Sequence, residues 1–407
     1  MVQIPISPSS LHRPSEPHSS PPPGWALFAL GFRPFYLCGA VFAALAVAIW
    51  AGQLAGLVPP PPAGSMGLAL LWHAHEMVFG FAAVIVVGFL FTAGRAWTGV
   101  DTPAGGALAA LTALWLAGRL AMWFAPVPLA ALLDGLFLPL AALAFTRVLA
   151  RAGNRRNYPL ALALWVYGAI NLAFHAFAWQ GDAALALRAC VAGLALPVLF
   201  VTVIGARVLP MFTTNAVPGF RLKSYPRLGK PVLVATILAL LAWVLAAPAW
   251  LTAPLAALAG ALLAVRVAGW RGYAVGNRPI LWILHLAYAW LPAGFLLLAA
   301  GALGWVMPGV AEHAFAVGVI GTAIIAMITR TALGHTGRRL VAGRPEIAAY
   351  WLIVAAALLR VAGPLLWPAG YLHWVYGAAL CWVIGFALYA LTYAPRLARP
   401  RVDGKPG

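Results

Sequence analysis

Charge is what this chain has least of. Only 8% of its 407 residues are Asp, Glu, Lys or Arg, and just eight of those are acidic. Soluble domains carry about a quarter charged residues. A chain that is 64% hydrophobic cannot cover that much apolar surface with so few charges in water. This excludes a soluble globular protein and leaves a polytopic integral membrane protein, with the lipid bilayer as its first partner. Cysteine is also scarce: Cys38, Cys190 and Cys381 are far apart and lie within apolar runs. They read as small buried hydrophobes, and they do not supply the ligand set of an iron–sulfur cluster. The sequence has no C-x-x-C-H, which excludes a covalently attached c-type haem.

The net charge of +18 does not indicate nucleic acid, because the basic residues form no dense patch. They fall in short gaps between apolar runs. A membrane-spanning helix needs about 20 mostly apolar residues. Polar or Pro/Gly-rich gaps divide the chain into twelve such runs, near residues 25–57, 66–94, 103–124, 128–152, 158–179, 185–209, 230–247, 250–269, 279–304, 311–333, 346–367 and 371–394. The gap "AAPAWLTAP" between the seventh and eighth is the least marked. Every second gap is basic, including Arg151, Arg155 and Arg156 after run four and Arg338, Arg339 and Arg344 after run ten. By the positive-inside rule, both termini are then cytoplasmic. The expected fold is all-α with about 12 transmembrane helices. Residues 1–24 read as a disordered Pro/Ser-rich cytoplasmic tail, 25–395 as the transmembrane domain and 396–407 as a short basic tail.

Against this apolar background the polar residues inside the runs stand out. A charge at the bilayer centre costs at least about 2.5–3.5 kcal/mol, so each is a functional candidate. Run two opens with "LWHAHEMVFGF", which holds His73, His75 and Glu76. His175 ends run five with Asn171 one turn before it, and Glu312 and His313 open run ten. Arg119, Asp134 and His373 fall at a similar depth, so the periplasmic side gathers a layer of His and acids. A second layer, toward the cytoplasm, is cationic: Arg33, Arg207, His285, Arg330 and His335. It suits an anion such as a cofactor carboxylate, although Arg207 and Arg330 also fit the role of snorkelling interfacial anchors.

Each helical residue turns 100°, so His73 and His75 sit about 200° apart and do not share one ion from a regular helix. His73 and Glu76 share a face, which suggests His73 with Glu76 toward one centre and His75 toward another. Intramembrane His on separate helices are usual axial ligands of b-type haem, and imidazole also suits copper. His285 or His373 alone more often serves as a helix–helix hydrogen-bond partner. Two roles stay open for Glu76 and Glu312: carrying protons or orienting an imidazole, or simply pairing with Arg119.

Four stretches, "GFRPFYLCGA", "WHAHEMVFGFAAVIVVGFLFTA", "GARVLPMFTTN" and "AEHAFAVGVIGTAIIAMITRTALGHTGR", resemble the NnrS family over about residues 25–395. The resemblance implies a multi-pass protein of the bacterial inner membrane that contains haem and copper. It implies a part in the nitric oxide response, in denitrification and in resistance to nitrosative stress. The family's histidine positions match His73, His75, His175, His285, His313 and His335. Nitric oxide is then the expected small ligand, bound or turned over, with Glu76 and Glu312 as proton carriers if the reaction is of nitric oxide reductase type. The competing reading is a proton-coupled secondary transporter with intramembrane His and Glu. No inverted repeat or matched pair of broken helices supports it.

Overall fold

The computed structural model describes residues 24–62, 69–217, 219, 222–223 and 225–405. The expected N-terminal tail therefore lies almost wholly outside the described residues, as does Arg221. Within them, twelve helices are long and apolar enough to cross a membrane. They are α1 (Phe32–Leu54), α2 (Ala69–Thr98), α3 (Gly105–Phe124), α4 (Val127–Arg151), α5 (Arg155–Trp179) and α6 (Ala183–Ala216). The second half contains α7 (Pro226–Val244), α8 (Ala249–Trp270), α9 (Pro279–Ala302), α10 (Pro308–His335), α11 (Arg344–Leu366) and α12 (Pro368–Ala398). The twelve apolar runs of the sequence thus each become one helix. The least marked gap is real: α7 stops at Val244, and Ala246 turns the chain with a φ of 49°.

Local chemistry sets the ends. Pro stands in the first turn of α9, α10 and α11, where its missing N–H would be unpaired in any case. Gly99 closes α2 in the left-handed conformation that glycine adopts without strain.

Burial separates core from periphery. In α2, 78% of the most apolar window is buried, and in α10 67%, against 33% in α7 and α8. The two most buried spans are also the two that carry paired His and Glu. Around them α6 contacts both, α1 packs on α2 and α12, and α9 and α11 pack on α10. The segments that lead into α1 and out of α12 lie at the same end of the bundle, where the Ala26 N–H donates to the Ala398 carbonyl at 2.8 Å.

Both core spans change winding just past their histidines. Residues Glu76–Ala82 of α2 and Ala314–Gly321 of α10 are π-helical. Such i→i+5 turns are rare and often mark functional sites. In α2, neighbouring helices serve the widened turn: the Tyr167 hydroxyl donates to the Val78 carbonyl at 2.6 Å, and the Trp115 indole donates to the Gly80 carbonyl at 3.0 Å.

Candidate functional site

At the bundle end away from the basic loops, α2, α3, α4 and α5 hold a buried ion network. Arg119 of α3 lies between two carboxylates. One of its nitrogens stands 2.7 Å from both oxygens of Glu76, and another is paired with Asp134 Oδ1. The other oxygen of Asp134, Oδ2, accepts from Asn171 Nδ2 at 2.8 Å and from His175 Nε2 at 2.8 Å. His75 closes the ring, with Nδ1 at 3.0 Å from Glu76 Oε1 and Nε2 at 2.9 Å from Asn171 Oδ1 and 3.2 Å from Asp134 Oδ2. Every member is buried, and the Arg119 guanidinium also lies over the Phe42 and Trp115 rings.

Gly80 makes this approach possible. A Cβ there would stand 2.6 Å from Arg119 Nη1 and 3.0 Å from Glu76 Oε2.

With both imidazoles neutral, the two carboxylates and one guanidinium leave one net negative charge in a low-dielectric interior. One added cation, either a proton or a monovalent metal ion, would neutralise it. The donor set fits a metal. His75, Asp134 and His175 each offer a ligand atom, all within 4.8 Å of one another. Tetrahedral ligands at about 2.0–2.2 Å from an ion stand about 3.3–3.6 Å from each other, near the 3.2 Å and 2.8 Å that separate Asp134 Oδ2 from His75 Nε2 and His175 Nε2.

His73 does not belong to this network. Its ring stacks on Trp50, with centroids 4.0 Å apart and planes at 18°. Its Nδ1 is buried without a hydrogen-bond partner. It lines a cavity together with His313 of α10 and Arg360 of α11, the remaining wall being mostly apolar. His313 Nδ1–H donates to the Gly309 carbonyl at 2.7 Å, which leaves Nε2 as the ring's lone-pair nitrogen. Arg360 is buried and donates to the Tyr371 hydroxyl at 2.8 Å.

Glu76 therefore pairs with His75 and Arg119 rather than with His73. The regular-helix spacing behind the opposite expectation ends at Glu76, where the π turn begins. Glu312 does not reach Arg119; it sits half-buried near Arg188 and Arg360 and makes no ion pair among the described residues. His373 is exposed and stacks on Trp367.

The cationic residues at the other end do not converge on one site. Arg33 is buried and donates to the carbonyls of Leu397 and Arg399 at 2.8 Å each. Arg330 lies 3.7 Å above the Phe212 ring, and Arg207 is exposed on α6. His285 shares a 2.9 Å hydrogen bond with Thr213. The His335 ring packs on Phe32, and its carbonyl accepts from Arg401. Arg360 and Trp50 had not been singled out from the sequence. The available signal for Arg360 was an arginine inside the apolar run 346–367.

Comparison with protein families supplies a match across residues 26–401 to the family described as NnrS protein. The chain belongs to the NnrS family. Among curated proteins, none matches it. NnrS membership and twelve candidate spans together indicate a multi-pass membrane protein of the nitric oxide response. In this NnrS protein the "WHAHEM" stretch serves two neighbouring sites: His73 opens into the cavity, and His75 and Glu76 into the ion network.

Proposed function

We propose that this protein is a haem- and copper-containing protein of the bacterial inner membrane that binds nitric oxide. The observation carrying the reading is the pair His73 and His313. They come from different core helices and line one largely apolar cavity that has a buried arginine in its wall. Imidazoles from two helices suit b-type haem, and Arg360 suits a propionate. Haem would supply an iron that binds a diatomic ligand.

The two histidines are held differently. The Gly309 carbonyl fixes the tautomer and orientation of His313, as in well-held metal ligands. His73 has no such bond, only the Trp50 stack. His313 would thus hold the group more firmly than His73, whose ring is free of hydrogen bonds at Nδ1 and would yield more readily to a small ligand. Copper is assigned to His75, Asp134 and His175, where a monovalent ion balances the net charge of the network. Should nitric oxide also be reduced, Glu312 is the better placed proton carrier, because Glu76 is held by Arg119.

Metal analysis of purified variants tests this. His73→Ala and His313→Ala should lower haem content and the Soret band, while His75→Ala and His175→Ala should lower copper and leave haem. Wild-type protein without haem, or His313→Ala with full haem, would overturn the assignment.

A further inference from the structure

A second cavity lies between α2, α6, α9 and α10, on the basic-loop side of the first. Its wall includes Ile85, Phe200, Leu209, Leu284, Ile324 and Met327, with no ionisable group apart from the phenols of Tyr36 and Tyr288. Those phenols are engaged elsewhere. Tyr288 donates to the Thr202 carbonyl at 3.1 Å and accepts from Arg266 at 3.0 Å, and Tyr36 is hydrogen-bonded to Thr331. A buried water needs two to four polar partners, and apolar cavities without them stay dry and take up xenon. Ions and polar solutes are excluded by the same argument.

The two cavities share two wall residues, Ala82 and Ile320. Ala82 is the last residue of the π segment in α2, and Ile320 lies near the end of the one in α10. The two cavities therefore meet at the two π segments, at a methyl group and one aliphatic side chain.

We propose that the inner cavity is a holding site for uncharged diatomic gas, which passes between Ala82 and Ile320 to the histidine cavity. The gas is nitric oxide if the haem reading above holds, and the second arm of the test rests on that reading. Nothing in the wall recognises a charged or hydrogen-bonding ligand, so selection is by polarity and size. Gas concentrated from the bilayer would reach the cavity lined by His73 without crossing the ion network.

Xenon-pressurised crystals of the full chain test the cavity without reference to haem. Xenon is expected among Ile85, Phe200, Leu209 and Ile324, and Ile324→Trp, which fills only the inner cavity, should remove it. Met327→Trp serves if that variant does not fold. In haem-loaded protein, carbon monoxide recombination after flash photolysis should slow several-fold in the filled variant, with the Soret spectrum unchanged. A chamber without xenon, or one occupied by a lipid or quinone tail, would overturn the proposal. So would an unchanged recombination rate in a variant that has lost the xenon. Absence of haem from the wild type would sink the proposed function, while the xenon result still decides the cavity.

Discussion

His73 and His75 stand two positions apart in the sequence and face different chambers. His73 stacks on Trp50 in the cavity wall, whereas His75 is hydrogen-bonded on both ring nitrogens within the ion network. Their divergence is what lets one helix end serve two centres.

Arg119 is the only cation among the charged side chains of the network if the imidazoles are neutral. Arg119→Ala leaves Glu76 and Asp134 buried and unpaired, which should cost about 3–5 kcal/mol. Adding Glu76→Gln to that variant should recover part of the loss. Thermal unfolding in detergent, followed by size-exclusion chromatography, reads both. A single variant as stable as wild type would show that the network is not held by charge.

Gly80 is fixed by space. A Cβ would meet Arg119 at 2.6 Å, Phe42 at 2.9 Å and Glu76 at 3.0 Å. Gly80→Ala should destabilise by about 1–3 kcal/mol, the range of overpacked cores. It should also reduce copper more than haem. Equal loss of both metals would argue that the two sites do not load independently.

Arg360 separates charge from shape in the cavity. Arg360→Met keeps much of the apolar volume but removes the donors that suit a propionate, so haem retention should weaken by about 1.5–3 kcal/mol, the worth of a hydrogen bond to a charged group. Haem transfer to apomyoglobin measures it. Wild-type transfer kinetics would remove Arg360 from the site.

At the opposite end, the chain after α12 folds back on α10. Arg401 makes a two-bond pair with Asp403, at 2.8 and 2.6 Å, and the Val402 N–H donates to the Thr336 carbonyl at 3.1 Å. The Arg401 guanidinium holds the Asp403 carboxyl down at about 2, below its ordinary 3.8. A depressed carboxylate contributes its stability above the ordinary value and loses it as pH falls from there through about 2. Tail protection should therefore be constant from pH 5 to 8. Asp403→Asn should speed amide exchange at Val402 at neutral pH. A protection factor, the exchange rate divided into the intrinsic rate at the same pH, that varies in wild type across pH 5–8 would contradict the pairing as its cause.

The twelve spans were readable because lipid demands length and apolarity of each one separately. The candidate residues were readable because a polar group inside such a run is costly wherever it occurs. Partnership was harder to read. Arg119, Asp134 and His175 lie at a common depth in the sequence-derived topology, but only packing shows that one oxygen of Asp134 serves both His75 and His175. For Glu76 the sequence left open a face shared with His73 and a pair with Arg119, and only packing shows that the pair is made. Arg360 was passed over because a lone arginine near a helix end is also what a snorkelling anchor looks like. The cationic side chains at the basic end share a depth without sharing a site, since Arg33 is taken up by two carbonyls, Arg330 by the Phe212 ring and His285 by Thr213, while Arg207 is exposed.

The π turns have a consequence for how this protein tolerates change in length. A ring closed from i to i+5 holds one more residue than the ordinary turn, so each core helix carries a surplus residue in its middle. Removing one residue between Met77 and Phe81 would take out that surplus and let the turn relax to α-helix with the flanking segments near their present orientation, whereas removing one from the regular stretch after Ala83 would rotate everything before it by about 100° relative to everything after. Only the second deletion would swing His73 and His75 together away from both chambers, although no ligand had been altered. In these two helices the reading frame of the turn is as much a part of the site as the histidines.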